Sequence, residues 1–71
     1  PANLSGCCLK NVNLANANLS MANLSDVDLT ESNLTGANLT DANLAGATMA
    51  GANLDGANLA GCRMEQARAR S

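Results

Sequence analysis

Few residues in this 71-residue chain are equipped for chemistry. It has no histidine and no aromatic residue. Its three cysteines, Cys7, Cys8 and Cys62, are odd in number, two are adjacent, and no spacing suits a zinc site. Cys7 and Cys62 stand where small apolar residues recur, and read as small buried side chains. Cys8 falls at an outward position, with only Lys10 near it in sequence to lower its pKa. Serines and threonines such as Ser20 and Thr40 have no base placed to activate them. No glycine-rich phosphate loop or metal-ligand cluster is present, so we expect no enzyme, no cofactor and no metal. The charged residues left as candidates are an interaction surface of Asp26, Asp28, Glu31, Arg63, Arg68 and Arg70. These are departures from the pattern that orders the rest of the chain.

That pattern has a period of five. From Leu4 to Met64, 13 successive positions five apart hold 11 leucines and 2 methionines. Two residues before each centre sits a small residue, alanine in eight cases and otherwise Cys7, Val12, Val27, Ser32 or Cys62. Asparagine immediately precedes the centre nine times, and all six glycines fall two residues after one. A period of five fits neither an amphipathic helix nor a long plain strand. Locally, though, the small residue and the centre are two apart, which puts both on one face of an extended segment. The asparagine between them points the other way. The following pair turns the chain, with glycine, Asn11, Asn16, Asp26 or Asp41 supplying a positive φ. Each unit is therefore a short side and a corner.

With Ala-Asn-Leu-x-x units over residues 2–66, the sequence resembles the pentapeptide-repeat family, whose motif is A-(D/N)-L-x-x. The resemblance implies an all-β fold, a right-handed quadrilateral parallel β-helix with four pentapeptides per coil. Thirteen units would make about 3 coils, roughly 16 Å tall at ~4.8 Å per coil. Stacking at 20 residues would then put Leu4, Leu24, Leu44 and Met64 in one inner column. Outside, Asn13/Asn33/Asn53 and Asn18/Asn38/Asn58 would form ladders of mutually bonded amides. Asp26, Asp28, Glu31, Asp41 and Asp55 would each stand alone in a column, which avoids like-charge stacking.

The pattern decays from Arg63. Residues 1–66 are expected to form the β-helix and 67–71 a C-terminal cap or frayed tail. The run Met64–Arg70 lacks glycine, proline and β-branched residues, so a short helical cap is one expectation. Pro1-Ala2-Asn3-Leu4 enters the repeat at once, as a segment of a longer protein would. End coils expose apolar rings and strand edges, so partners by end-to-end coil stacking are expected alongside a protein partner.

The net charge is −2, and no basic cluster interleaved with aromatics occurs, so direct nucleic-acid binding is not expected. No apolar run approaches the ~18 residues of a membrane span. No targeting pattern is present, and the cytoplasm is the default location. Function reads as a non-catalytic structural or protein-interaction module. The resemblance also implies an alternative, a DNA-mimic inhibitor or protector of a type II topoisomerase, although a net charge of −2 makes a weak field for it. A flat ice- or surface-binding face ranks lower, because the outward columns mix Thr, Ala, Asp and Gly.

Overall fold

In a central repeat the five backbone amides have five different acceptors, which ties the unit to a length of five residues. In a computed structural model that describes the backbone of residues 2–70 and the side chains of residues 2–67, Ala37–Asp41 shows the scheme. Ala37 N–H donates to Leu34 O (3.0 Å), closing the preceding corner. Asn38 N–H donates to Ala17 O (2.9 Å), one coil earlier. Leu39 N–H and Asp41 N–H donate to Asn58 O and Ala60 O (2.8 Å each), one coil later. Thr40 N–H donates to the side chain Oδ1 of Asn38 (3.1 Å). No donor is left over, which is what a buried or stacked backbone requires.

The corners are tight turns with the third residue at positive φ and the second not, the signature of type II. Glycine fills that third position at Gly6, Gly36, Gly46, Gly51, Gly56 and Gly61, and Asn11, Asn16, Asp26 and Asp41 fill it elsewhere. The sequence reading missed Met21 (φ 62°), Glu31 (φ 58°) and Gln66 (φ 61°) there, because these residue types carry no left-handed preference. The stacking at each corner is selective. A Cβ added at Gly46 or Gly61 would collide with the carboxylate of Asp26 or Asp41 from the coil before, and one at Gly36 would meet Asn16 Oδ1 at 2.5 Å.

Successive coils pair in parallel at a spacing of 20 residues, from Asn3↔Asn23 through Asn43↔Arg63. Two short strands, β1 (Thr48–Ala50) and β2 (Arg68–Arg70), continue the same register, Thr48↔Arg68 and Ala50↔Arg70. Four corners per 20 residues give the coil four sides. The first runs through 2–6, 22–26, 42–46 and 62–66. The second comprises 7–11, 27–31, 47–51 and 67–70; the third 12–16, 32–36 and 52–56; the fourth 17–21, 37–41 and 57–61. Leu24, Leu29, Leu34, Leu39, Leu44 and Met49 are fully buried in the middle, with Ala22, Val27, Ala37, Ala42 and Ala47 beside them. Ser32 occupies one of the small slots and donates its hydroxyl to Leu29 O (2.9 Å), so its burial leaves nothing unpaired.

Two expectations need correction. The helical cap over Met64–Arg70 does not form: Ala67 N–H closes a corner on Met64 O (3.0 Å), and 68–70 is strand. Helix propensity is worth tenths of a kcal/mol per residue. The exposed edge of the coil containing β1 offers a row of ready acceptors and donors, and pairing with it prevails. The second correction concerns the asparagines. Among the described residues their amides make no ladder bonds to one another. Each Oδ1 instead turns back on its own chain, to the amide two residues on, and to the hydroxyl there when it is Ser or Thr. This is an Asx-type turn, which explains why Asn or Asp is favoured and why Ser or Thr so often follows Leu. Asn38→Ala is expected to leave Thr40 N–H without its acceptor and to lower stability by about 1 kcal/mol in a urea melt, with Asn38→Asp close to neutral.

Candidate interaction face

Three sides share one plan and the second does not. Asn3, Asn23 and Asn43 run up the middle of the first side, with Arg63 after them in the last coil, Asn13, Asn33 and Asn53 up the third, and Asn18, Asn38 and Asn58 up the fourth. The second side carries Cys8, Asp28, Thr48 and Arg68 in the same place. The turn chemistry that favours Asn is equally available there, so the fold does not require the change.

Asp28 keeps the structural task while adding a charge. Its Oδ1 accepts from Thr30 N–H (3.1 Å) and Thr30 Oγ1–H (2.6 Å). Those two bonds hold its carboxyl below the usual range, with Lys10 contributing in the same direction. A carboxyl whose folded pKa is depressed adds stability that is present above its unfolded value and fades as pH falls through the lowered one. Part of the acid limb of the stability curve is therefore expected to vanish in Asp28→Asn, which keeps the acceptor but does not titrate. Stability measured between about pH 2 and 5 should fall less steeply in the variant, and equal slopes would count against this.

Asp26 and Glu31 stand at the two corners bounding Asp28, both at φ 58° and both exposed. Above each the next coil has glycine, Gly46 over Asp26 and Gly51 over Glu31. The result is a shallow groove lined by Asp26, Gly46, Thr48, Gln66 and Ala67. Lys10 lies one coil below Thr30 on the same side. Positions 68 and 70 of β2 lie one coil above Thr48 and Ala50; the side chains of Arg68 and Arg70 are outside the described residues. The structure thus brings Asp26, Asp28 and Glu31 together on one coil and stacks positions 68 and 70 on the same side. Arg63 is elsewhere. It belongs to the first side, where Nη2 lies 3.4 Å from Glu65 Oε2 in an exposed pair worth little. Glu65 is held below its usual range by its own backbone amide first and by Arg63 second.

The cysteines separate as their places in the repeat suggest. Cys8 is exposed on the second side, whereas Cys7 and Cys62 are half-buried against the core. Burial pushes the Cys62 thiol up, and its Sγ–H donates to Leu39 O (3.0 Å). A thiol held that way is a poor nucleophile. No group of three or more His, Cys, Asp or Glu among the described residues is placed to hold a metal.

The family model described as a pentapeptide repeat region matches residues 1–68. The chain belongs to the pentapeptide-repeat family. Pentapeptide-repeat proteins form right-handed β-helices, and the all-β coil described above is one. Among solved pentapeptide-repeat structures, Rfr23 from the cyanobacterium Cyanothece 51142 is 36% identical, with a TM-score of 0.76 over 96% of this chain and 50% of that one. A thylakoid-lumen pentapeptide-repeat protein from Arabidopsis thaliana is 25% identical, with a TM-score of 0.50 over 90% of this chain and 48% of that one. HetL from Nostoc sp. strain PCC 7120, a protein involved in heterocyst differentiation regulation, is 24% identical, with a TM-score of 0.55 over 94% of this chain and 46% of that one. The chain therefore spans about half the length of these three proteins. No curated protein sequence matches it. Pentapeptide-repeat proteins are generally non-catalytic.

Proposed function

We propose that this pentapeptide-repeat segment is a rigid, non-catalytic module that binds a protein partner through its second side, as part of a longer solenoid. The observation that carries the reading is the loss of the asparagine column on that side alone. On the other three sides, Arg63 at the end of the first excepted, the outward residue closes a turn, and the sequence is what the fold asks for. On the second side Cys8, Asp28 and Thr48 follow one another in that column, with position 68 next in register, flanked by Asp26, Glu31 and Lys10. Departures from a repeat that the fold tolerates but does not need are where recognition residues are expected. The glycines above Asp26 and Glu31 lower the surface between the charges, leaving a flat floor that another backbone or side chain could approach.

A photo-crosslinking residue placed at Thr48, with controls at Asn53 on the third side and Asn58 on the fourth, tests this in cells that make the full-length protein. Specific protein adducts are expected from position 48 and not from the controls. Equal labelling from all three would sink the reading. The topoisomerase alternative finds less support, because three of the six acids gather around one side beside Lys10 and two arginine positions and the other three are scattered, instead of forming a long negative surface.

A further inference from the structure

We infer that the second side is self-complementary and that the partner it fits is a second copy of the same side, related by a two-fold axis through Thr48. The inference rests on the reading of the second side as a binding face and names its occupant.

The argument is one of register. Strand direction and coil order define two perpendicular directions on the side. A half-turn about an axis normal to it at Thr48 reverses both. Position 68, one coil above Thr48, then lies over Asp28, one coil below it. Position 70, one coil above and two residues along, lies over Asp26. Gln66 lies over Thr30, next to Glu31. Ala50 lies over Gly46, and Thr48 lies over its own counterpart. Both arginine positions of the upper coil thus meet an acid of the lower coil, twice over by symmetry, while Glu65, at the corner, falls over Glu31. The centre consists of Gly46, Thr48, Ala50 and Gly51, which are small enough to let two flat sides approach. This is the geometry of an isologous interface, in which one patch serves both partners. No other side carries opposite charges in such a relation. The first places Arg63 beside Glu65 on the same coil and pairs them within the chain.

The dimer should be weak and electrostatic. The whole structure measures 22 × 21 × 17 Å. One side therefore buries at most on the order of 400 Å² per partner, about half that of a standard interface. Charge complementarity on this scale sets orientation and salt dependence more than affinity.

Sedimentation on the 71-residue chain, run at about 20 mM and about 500 mM salt, tests the proposal. A monomer–dimer equilibrium is expected at low salt, with a dissociation constant at least tenfold weaker at high salt. The variant Asp26→Asn/Asp28→Asn is expected to be monomeric and folded by circular dichroism. Asn serves at position 28's equivalents on the other sides, and Asn11 and Asn16 already hold the corner conformation of Asp26. Asp26→Arg/Asp28→Arg and Arg68→Asp/Arg70→Asp should each fail to self-associate, yet form a one-to-one complex when mixed. A parent chain that stays monomeric at millimolar concentration and low salt overturns the inference, while leaving the crosslinking result for other partners untouched. Association that is unchanged in Asp26→Asn/Asp28→Asn, or that proceeds past the dimer as end-to-end stacking would, overturns it as well.

Discussion

Leu39→Ala should cost about 3–4 kcal/mol, enough to leave the isolated chain largely unfolded near room temperature. Leu39 is fully buried, and its amide donates to Asn58 O while Asn38 pairs with Ala17. It sits in the inner column between Leu19 and Leu59, so truncation opens a hole with leucine above and below. A tube cannot collapse easily onto such a hole, because the backbone around it is fixed by bonds to two neighbouring coils. The cost should thus lie toward the upper part of the range for leucine truncation. Leu39→Met, which conserves volume, should cost less than about 1.5 kcal/mol. Urea titrations of the two variants provide the comparison. A loss of under 1 kcal/mol for Leu39→Ala would mean that the coils slide to refill the column.

Gly36→Ala should be among the more damaging single changes outside the core, at about 2 kcal/mol. Part of that is conformational, since a residue with a Cβ pays about 1–2 kcal/mol for the left-handed region. Gly36 stands at φ 69°. The rest is contact, because the new Cβ would sit 2.5 Å from Asn16 Oδ1 and the Asn16 side chain must swing away. The two parts can be separated. In an Asn16→Gly background the contact is gone, and the cost of Gly36→Ala should fall to about 1 kcal/mol, the left-handed penalty alone. A double-mutant cycle showing no coupling between positions 16 and 36 would remove the steric half of this account.

These sites also show how far the sequence could be read. The inner columns were legible because Leu and Ala recur at a fixed spacing, and burial has no other way to satisfy that pattern. The corners were half legible. Gly36 and Asn16 advertise a positive φ, but Met21, Glu31 and Gln66 adopt it only because the corner on either side of them is already fixed by coil pairing. The asparagines were placed correctly and given the wrong acceptor. Spacing shows that they stack, whereas only coordinates show Oδ1 turned toward the next residue's neighbour instead of the next coil. Of the two readings the tail allows, cap or frayed end, the helical one rests on propensity, which is local, while the edge that pairs with Arg68–Arg70 lies 20 residues away. Of the proposed interaction residues, Asp26, Asp28 and Glu31 announce their shared coil in the sequence. That positions 68 and 70 complete the same side follows from the register, and that Arg63 does not share it follows from the same register.

The sameness of the donors and acceptors that each pentapeptide offers its neighbours has a consequence for how such a chain can vary. Removing five residues would leave the interior and every turn intact, yet everything downstream would rotate by a quarter turn about the axis. A five-residue deletion between Glu31 and Arg68 would carry the two arginine positions around to a different wall from Asp26 and Asp28. Removing twenty would shorten the rod and keep every wall aligned. Insertions and deletions in this architecture therefore act on azimuth before they act on folding, and the phase of the chain is itself heritable information.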